Sequence, residues 1–163
     1  PASMQDDFAL LKAQLLLGFG KPKQARPLVD TINIDNPQRK EFRPFMVAIV
    51  SETLARTGGA KKANELLDTV EDSSVSDANI ATLLLSARVF AQFGAGKKGL
   101  TRKALSELAA VDPNLLGRFI AGKGQSNPGL KRLAREAFER SASRTHTRGQ
   151  QKQMMGGGRG RRR

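Results

Sequence analysis

The residues best suited to chemistry in this sequence are arginines and lysines, and the chemistry they favour is phosphate binding. Seven of them occur between Ser141 and Arg163, a segment without a single acidic residue. They are Arg144, Arg148, Lys152, Arg159, Arg161, Arg162 and Arg163. Because a guanidinium makes bidentate contacts to phosphate and stacks on bases, this segment predicts RNA binding. Its scarcity of apolar residues predicts a tail that is disordered until a partner orders it.

A second basic group follows three glycines, Gly20, Gly58 and Gly96, which lie 38 residues apart. Its members are Lys21, Lys23, Lys61, Lys62, Lys97 and Lys98. If the glycines mark turns along one edge of a stack of helical hairpins, these lysines form a basic edge that binds phosphate. Acidic residues would then line the opposite edge, at Asp35, Glu71, Asp72, Asp77 and Asp112. The alternative is that lysines favour exposed turns and only keep the surface soluble.

The residues needed for catalysis are scarce. Cysteine is absent and His146 is the single histidine, which excludes disulfides and thiolate zinc sites and makes a catalytic triad hard to assemble. Gly94, Gly96 and Gly99 match the dinucleotide-binding string G-x-G-x-x-G, but that motif must follow a strand, and here it follows a helical pattern. We expect a non-enzymatic protein without a cofactor, a metal site or a small-molecule substrate.

Composition bounds the size of the protein and the nature of its partners. A chain of 163 residues has room for one domain with an extension, and its net charge of +13 indicates an acidic partner. Without an apolar run of about 18 residues it has no predicted membrane span, so we expect a soluble intracellular protein. Tyr and Trp are absent, and most of the eight Phe are predicted to lie in the core. Recognition of RNA would therefore use backbone and shape.

The elements that position these residues emerge when the sequence is compared with itself at a shift of 38 residues. The aligned positions are Ala25, Ala63 and Thr101; Val29, Leu67 and Leu105; and Ile32, Val70 and Leu108. Small and apolar residues at helical spacing after each glycine predict three antiparallel helical hairpins, over about residues 4–114.

The first hairpin resembles the tetratricopeptide repeat family. The family's small residue, turn glycine, alanine, two apolar positions and closing proline correspond to Ala13, Gly20, Ala25, Val29, Ile32 and Pro37. The resemblance implies a stack of hairpins with a concave groove lined by their first helices. A protein partner would then lie against Ala9, Lys12, Met46, Ile49 and Val50.

The remainder of the chain predicts a cap and a tail. An apolar segment, 115–120, and a Gly-rich turn, 122–124, precede a final amphipathic helix from about Pro128 to Arg140, which would cover the end of the stack. We therefore expect an all-α protein with a helical-repeat domain at 1–140 and a basic tail at 141–163.

Together these features favour a helical-repeat subunit of a ribonucleoprotein, ribosomal or ribosome-associated, whose partners are RNA, in particular rRNA, and neighbouring proteins. The alternative function is a protein-binding scaffold that holds a peptide in the concave groove. The two differ in whether the basic residues or the groove supply the binding energy.

Overall fold

The computed structural model describes residues 2–71 and 75–156, with side chains for 4–71, 75–112, 114–124 and 127–143. Over these residues the chain contains α-helices, 3₁₀ turns and no strand, so the expectation of an all-α fold is confirmed. None of the described helices combines the length and the apolar character needed to span a membrane.

Eight α-helices follow one another along the described chain. They are α1 (Ala2–Gly18), α2 (Pro22–Val29), α3 (Arg43–Arg56), α4 (Ala60–Leu67), α5 (Ala78–Gly94), α6 (Lys98–Val111), α7 (Pro113–Ala121) and α8 (Pro128–Gly156). Two 3₁₀ segments interrupt the series, at Pro37–Phe42 and at Lys123–Ser126. Helices α1 and α2, α3 and α4, and α5 and α6 pack as neighbouring pairs, while α3 also packs on α1 and α5.

Helix α3 lies at the centre of the protein. Every residue from Met46 to Ala55 is buried, because α1, α2, α4 and α5 all pack around this helix. The expected groove surface is therefore wrong at Met46, Ile49 and Val50, which belong to the core. Of the other groove residues, Ala9 is half-buried and Lys12 is exposed.

The three hairpin turns share one backbone geometry. Gly20, Gly58 and Gly96 have φ values of 71°, 92° and 73°, in the left-handed region where a side chain would be strained. In each turn the residue after the glycine donates its N–H to the carbonyl five positions back. These bonds join Lys21 to Leu16 (2.8 Å), Gly59 to Leu54 (2.8 Å) and Lys97 to Gln92 (2.9 Å). The geometry is that of the Schellman motif, which satisfies the last carbonyls of the first helix of each pair.

The C-terminal helices cover one side of this body. Helix α7 buries Leu116 and Phe119, whose ring lies 5.3 Å from that of Phe90 on α5. Helix α8 packs on α6 and α7 through its predicted apolar stripe, of which Leu130 and Ala134 are fully buried.

The expected disorder from Ser141 onward is not confirmed. Helix α8 continues past Arg140 to Gly156, while residues 157–163 lie outside the described part of the chain. Residues 141–155 contain no proline, and nine of these fifteen residues are Arg, Gln, Lys, Met or Ala, whose helix propensity is high enough for the helix to continue.

The prediction that most phenylalanines lie in the core is wrong for half of them. Phe8, Phe19, Phe42 and Phe138 are each at least 40% exposed. For Phe8 and Phe19 the reason is position, since α1 is at the end of the series and its main packing partners are α2 and α3.

Candidate nucleic-acid interface

The tertiary structure brings the three hairpin turns to one edge of the protein. A cavity of about 360 Å³ is lined by Gly20 and Pro22 from the first turn, by Ala55 and Arg56 at the end of α3, and by Gly94 at the end of α5. Gly20 therefore lines the same space as Arg56, 36 positions later in the sequence, and Gly94, 74 positions later. We call this side of the protein the lysine edge, after the lysines at residues 21, 23, 61, 62, 97 and 98.

Direct contacts fix the spacing of the turns. The Arg56 Nη1 donates to the carbonyl oxygen of Leu17 over 2.9 Å, which ties the end of α3 to the end of α1. A Cβ added to Gly94 would lie 3.0 Å from the Cβ of Ala60, so the second and third turns are in close contact. These contacts place the three turns beside one another.

All six lysines of this edge are exposed to solvent. Within the described residues none of them forms a salt bridge, whereas Lys103 pairs with Glu107 and Lys123 with Glu52. Their positive charge is therefore available to a ligand.

The lysine edge also contains the N-termini of α2, α4 and α6. Their N-cap residues are Lys21, Gly59 and Lys97, and no side chain accepts a hydrogen bond from the free N–H groups at any of these positions. No acidic residue lies in the first turn of these helices. Because a helix N-terminus carries a partial positive charge, a lysine there is unfavourable for folding and favourable for binding an anion.

The N-termini of α5 and α7 are built differently. Asp77 accepts hydrogen bonds from the backbone N–H groups of Asn79 and Ile80, and Asp112 accepts one from Asn114. Asp35, also predicted for an acidic edge, pairs with Arg43 at 3.2 Å. Glu71 is exposed, and Asp72 lies outside the described residues. The acidic residues thus cap helices or pair locally, while the N-termini at the lysine edge lack such caps.

A buried charged cluster behind the edge was not predicted from the sequence. Glu52, 1% exposed, accepts hydrogen bonds from Arg56 at 2.9 Å and from Lys123 at 2.8 Å. The Arg56 guanidinium also lies 4.6 Å from the centre of the Phe90 ring. The spacing of Glu52 and Arg56 is a sequence signal for an ion pair, but only the structure shows that the pair is buried.

The predicted tail residues divide into two groups. Arg144, Arg148 and Lys152 fall in α8 at intervals of four residues, and they continue the helical register of the buried Ala137. The other four, Arg159, Arg161, Arg162 and Arg163, lie outside the described residues.

The sequence also raised two other kinds of site, a metal centre and the G-x-G-x-x-G string. Within it, no three His, Cys, Asp or Glu residues are placed to hold a metal ion. Gly94, Gly96 and Gly99 lie in the turn from α5 to α6, after a helix. Comparisons with family models, with curated proteins and with solved structures give no match to this chain.

Proposed function

We propose that the protein is a non-enzymatic, RNA-associated subunit of a ribonucleoprotein, ribosomal or ribosome-associated, and that the lysine edge contacts the RNA backbone. The observation that carries this proposal is the placement of six exposed lysines at three helix N-termini, where the described residues supply neither a salt bridge to these lysines nor a side-chain cap. Solubility alone does not require lysines at helix N-termini, where they oppose the helix dipole. A polyanion bound along the edge would offset this unfavourable interaction between the lysines and the helix dipoles.

The hairpins suit an extended ligand because they repeat. We take the pairs α1–α2, α3–α4 and α5–α6 to be three repeats of 38 residues, similar to tetratricopeptide repeats. This interpretation is supported by the common Schellman geometry at Gly20, Gly58 and Gly96. Neighbouring helices pack roughly 8–10 Å apart, so successive pairs of lysines would meet successive parts of one RNA strand.

The C-terminal residues would extend the contact. Arg144, Arg148 and Lys152 recur at intervals of four residues in the α8 sequence. Arginine-rich segments bind RNA through contacts to phosphates and stacking on bases, and they do not need a binding groove in the protein.

The scaffold alternative gains no support from α3. The first helix of the second hairpin would have to offer Met46, Ile49 and Val50 to a peptide, and all three are buried. For this reason we propose RNA association alone.

The proposal is tested by fluorescence anisotropy with a labelled single-stranded RNA across a salt series. Lys61→Gln removes one charge from the lysine edge, and we expect the slope of log affinity against log salt to become shallower by about 0.7. The matched control is Lys40→Gln, which removes an exposed lysine from the 3₁₀ segment at the other end of α3. Equal slopes for the two variants would contradict the proposal.

A further inference from the structure

Helix α1 has two apolar stripes, and only one of them is covered. Leu10, Ala13 and Leu17 are buried against the body. On another side of the same helix, Met4, Phe8, Leu11, Leu15 and Phe19 are exposed, from 55% at Leu11 to 76% at Phe19. Steps of three and four residues keep these five side chains on one face, which we call the outer stripe. Phe19 directly follows α1, and its N–H still bonds to the carbonyl of Leu15.

The outer stripe is large enough for a stable interface. With about 150–250 Å² for a large aromatic side chain and somewhat less for Leu and Met, the exposed fractions amount to roughly 600 Å² per copy, or about 1,200 Å² for two copies, the lower end of a standard interface. Each partner in a standard protein interface contributes about 800 Å², whereas a monomer rarely exposes a continuous apolar patch above a few hundred Å². A partner of similar apolar area would cover it.

The order of residues in the stripe shows which partner fits. Met4 and Phe19 lie equally far from the midpoint between Leu11 and Lys12, and so do Phe8 and Leu15. An antiparallel copy of α1 centred there would place Met4 against Phe19 and Phe8 against Leu15, with the two Leu11 side chains near the two-fold axis. A two-fold interface requires such a self-complementary surface.

The charges on and beside α1 favour the same arrangement. Asp6 and Asp7 lie near its N-terminus, where the single charge of Arg39 pairs with both and leaves a net negative charge, whereas Lys21 and Lys23 follow its C-terminus. An antiparallel pair brings the acidic end of one copy towards the basic end of the other, while a parallel pair places like charges together. Lys12 flanks the axis, where its long stem lets the ammonium group reach solvent.

We propose that the chain forms a two-fold homodimer in which the outer stripes of two α1 helices pack antiparallel. The occupant of this surface is therefore a second copy of the protein. The inference does not depend on RNA binding, since the apolar residues of the outer stripe belong to α1 and the residue that follows it, and only the flanking Lys21 and Lys23 are shared with the lysine edge.

Sedimentation velocity over a concentration series up to about 100 μM tests the association. We expect a dimer, and Leu15→Glu should weaken it by roughly a hundredfold or more, because a charge would be buried at a central contact. The matched control is Leu100→Glu, another exposed leucine, on α6, which should leave the dimer intact. Circular dichroism of both variants checks that the helices remain folded.

Because the natural chain has no cysteine, disulfide trapping can define the orientation. Chains with Met4→Cys mixed with chains with Phe19→Cys should cross-link to each other faster than either cross-links to itself. Preferred linkage of Met4→Cys chains to one another would indicate a parallel pair and overturn the proposed geometry. The proposal would be overturned if the protein stayed monomeric or if Leu15→Glu left the dimer unaffected. The outer stripe would then be a surface for a different protein.

Discussion

Lys123, on the 3₁₀ turn after α7, donates a hydrogen bond from its Nζ to the Oε2 of Glu52, in the middle of α3, over 2.8 Å. The two residues are 71 positions apart, so this contact joins the C-terminal cap to the central helix. Glu52 also holds Arg56, whose side chain is 4% exposed. The buried Glu52 carboxylate thus neutralises the buried Arg56 and also binds Lys123, which is partly exposed.

The partners of this cluster should contribute unequally to stability. Glu52→Gln leaves Arg56 as an uncompensated buried charge and should lower the free energy of unfolding by about 3–5 kcal/mol. Lys123→Met keeps the Glu52–Arg56 pair and should cost about 1 kcal/mol. Urea denaturation of both variants measures the difference. Equal losses would show that leaving Arg56 without its carboxylate partner costs no more than removing Lys123, and would contradict this account.

The turn glycines should differ sharply from glycines inside helices. Gly96→Ala forces a side chain into the left-handed region and should destabilise the protein by about 1–2 kcal/mol, although nothing lies within 4 Å of the new Cβ. Gly117→Ala in α7 is the control, since its site is equally open but its φ is not positive. It should stabilise the protein by about 0.4–1 kcal/mol. Thermal unfolding distinguishes the two, and destabilisation by both would argue against the turn geometry.

Stability and RNA affinity should move in opposite directions at the lysine edge. Lys97→Asp supplies a side-chain cap and a negative charge at the N-terminus of α6, and should raise the free energy of unfolding by about 1 kcal/mol. The same change should weaken RNA binding, because it replaces an attraction to phosphate with a repulsion. Denaturation and anisotropy are measured on one preparation, with Lys97→Gln as the variant that loses the positive charge without gaining a negative one. If Lys97→Asp left the RNA affinity unchanged, Lys97 would not be part of the RNA interface.

The C-terminal basic residues should contribute a large part of the salt dependence. If all seven from Arg144 to Arg163 contact single-stranded RNA, they contribute a slope of about −5 in log affinity against log salt. Deleting residues 144–163 should flatten the slope to what the lysine edge supplies. The described packed part of α8, Leu130 to Ala137, stays in this variant, so unfolding of the body should not change. Identical salt curves for the two chains would show that the tail does not carry binding.

The sequence by itself predicted the all-helical fold and the turn positions, for a local reason. Gly20, Gly58 and Gly96 are required where the backbone enters the left-handed region, and the apolar residues after them follow the helical period. The lysines could likewise be assigned to turns, since their position relative to the glycines is a property of the chain alone.

What surrounds each helix was decided only by the tertiary structure. Met46 and Phe8 lie on similar apolar patterns, yet Met46 is fully buried in a helix packed on several sides, and Phe8 is 74% exposed on a helix at the end of the series. Periodicity identifies an apolar face but not how many neighbours cover it. The burial of Glu52 with Lys123 is also a matter of packing, because it depends on where a turn 71 residues later comes to lie.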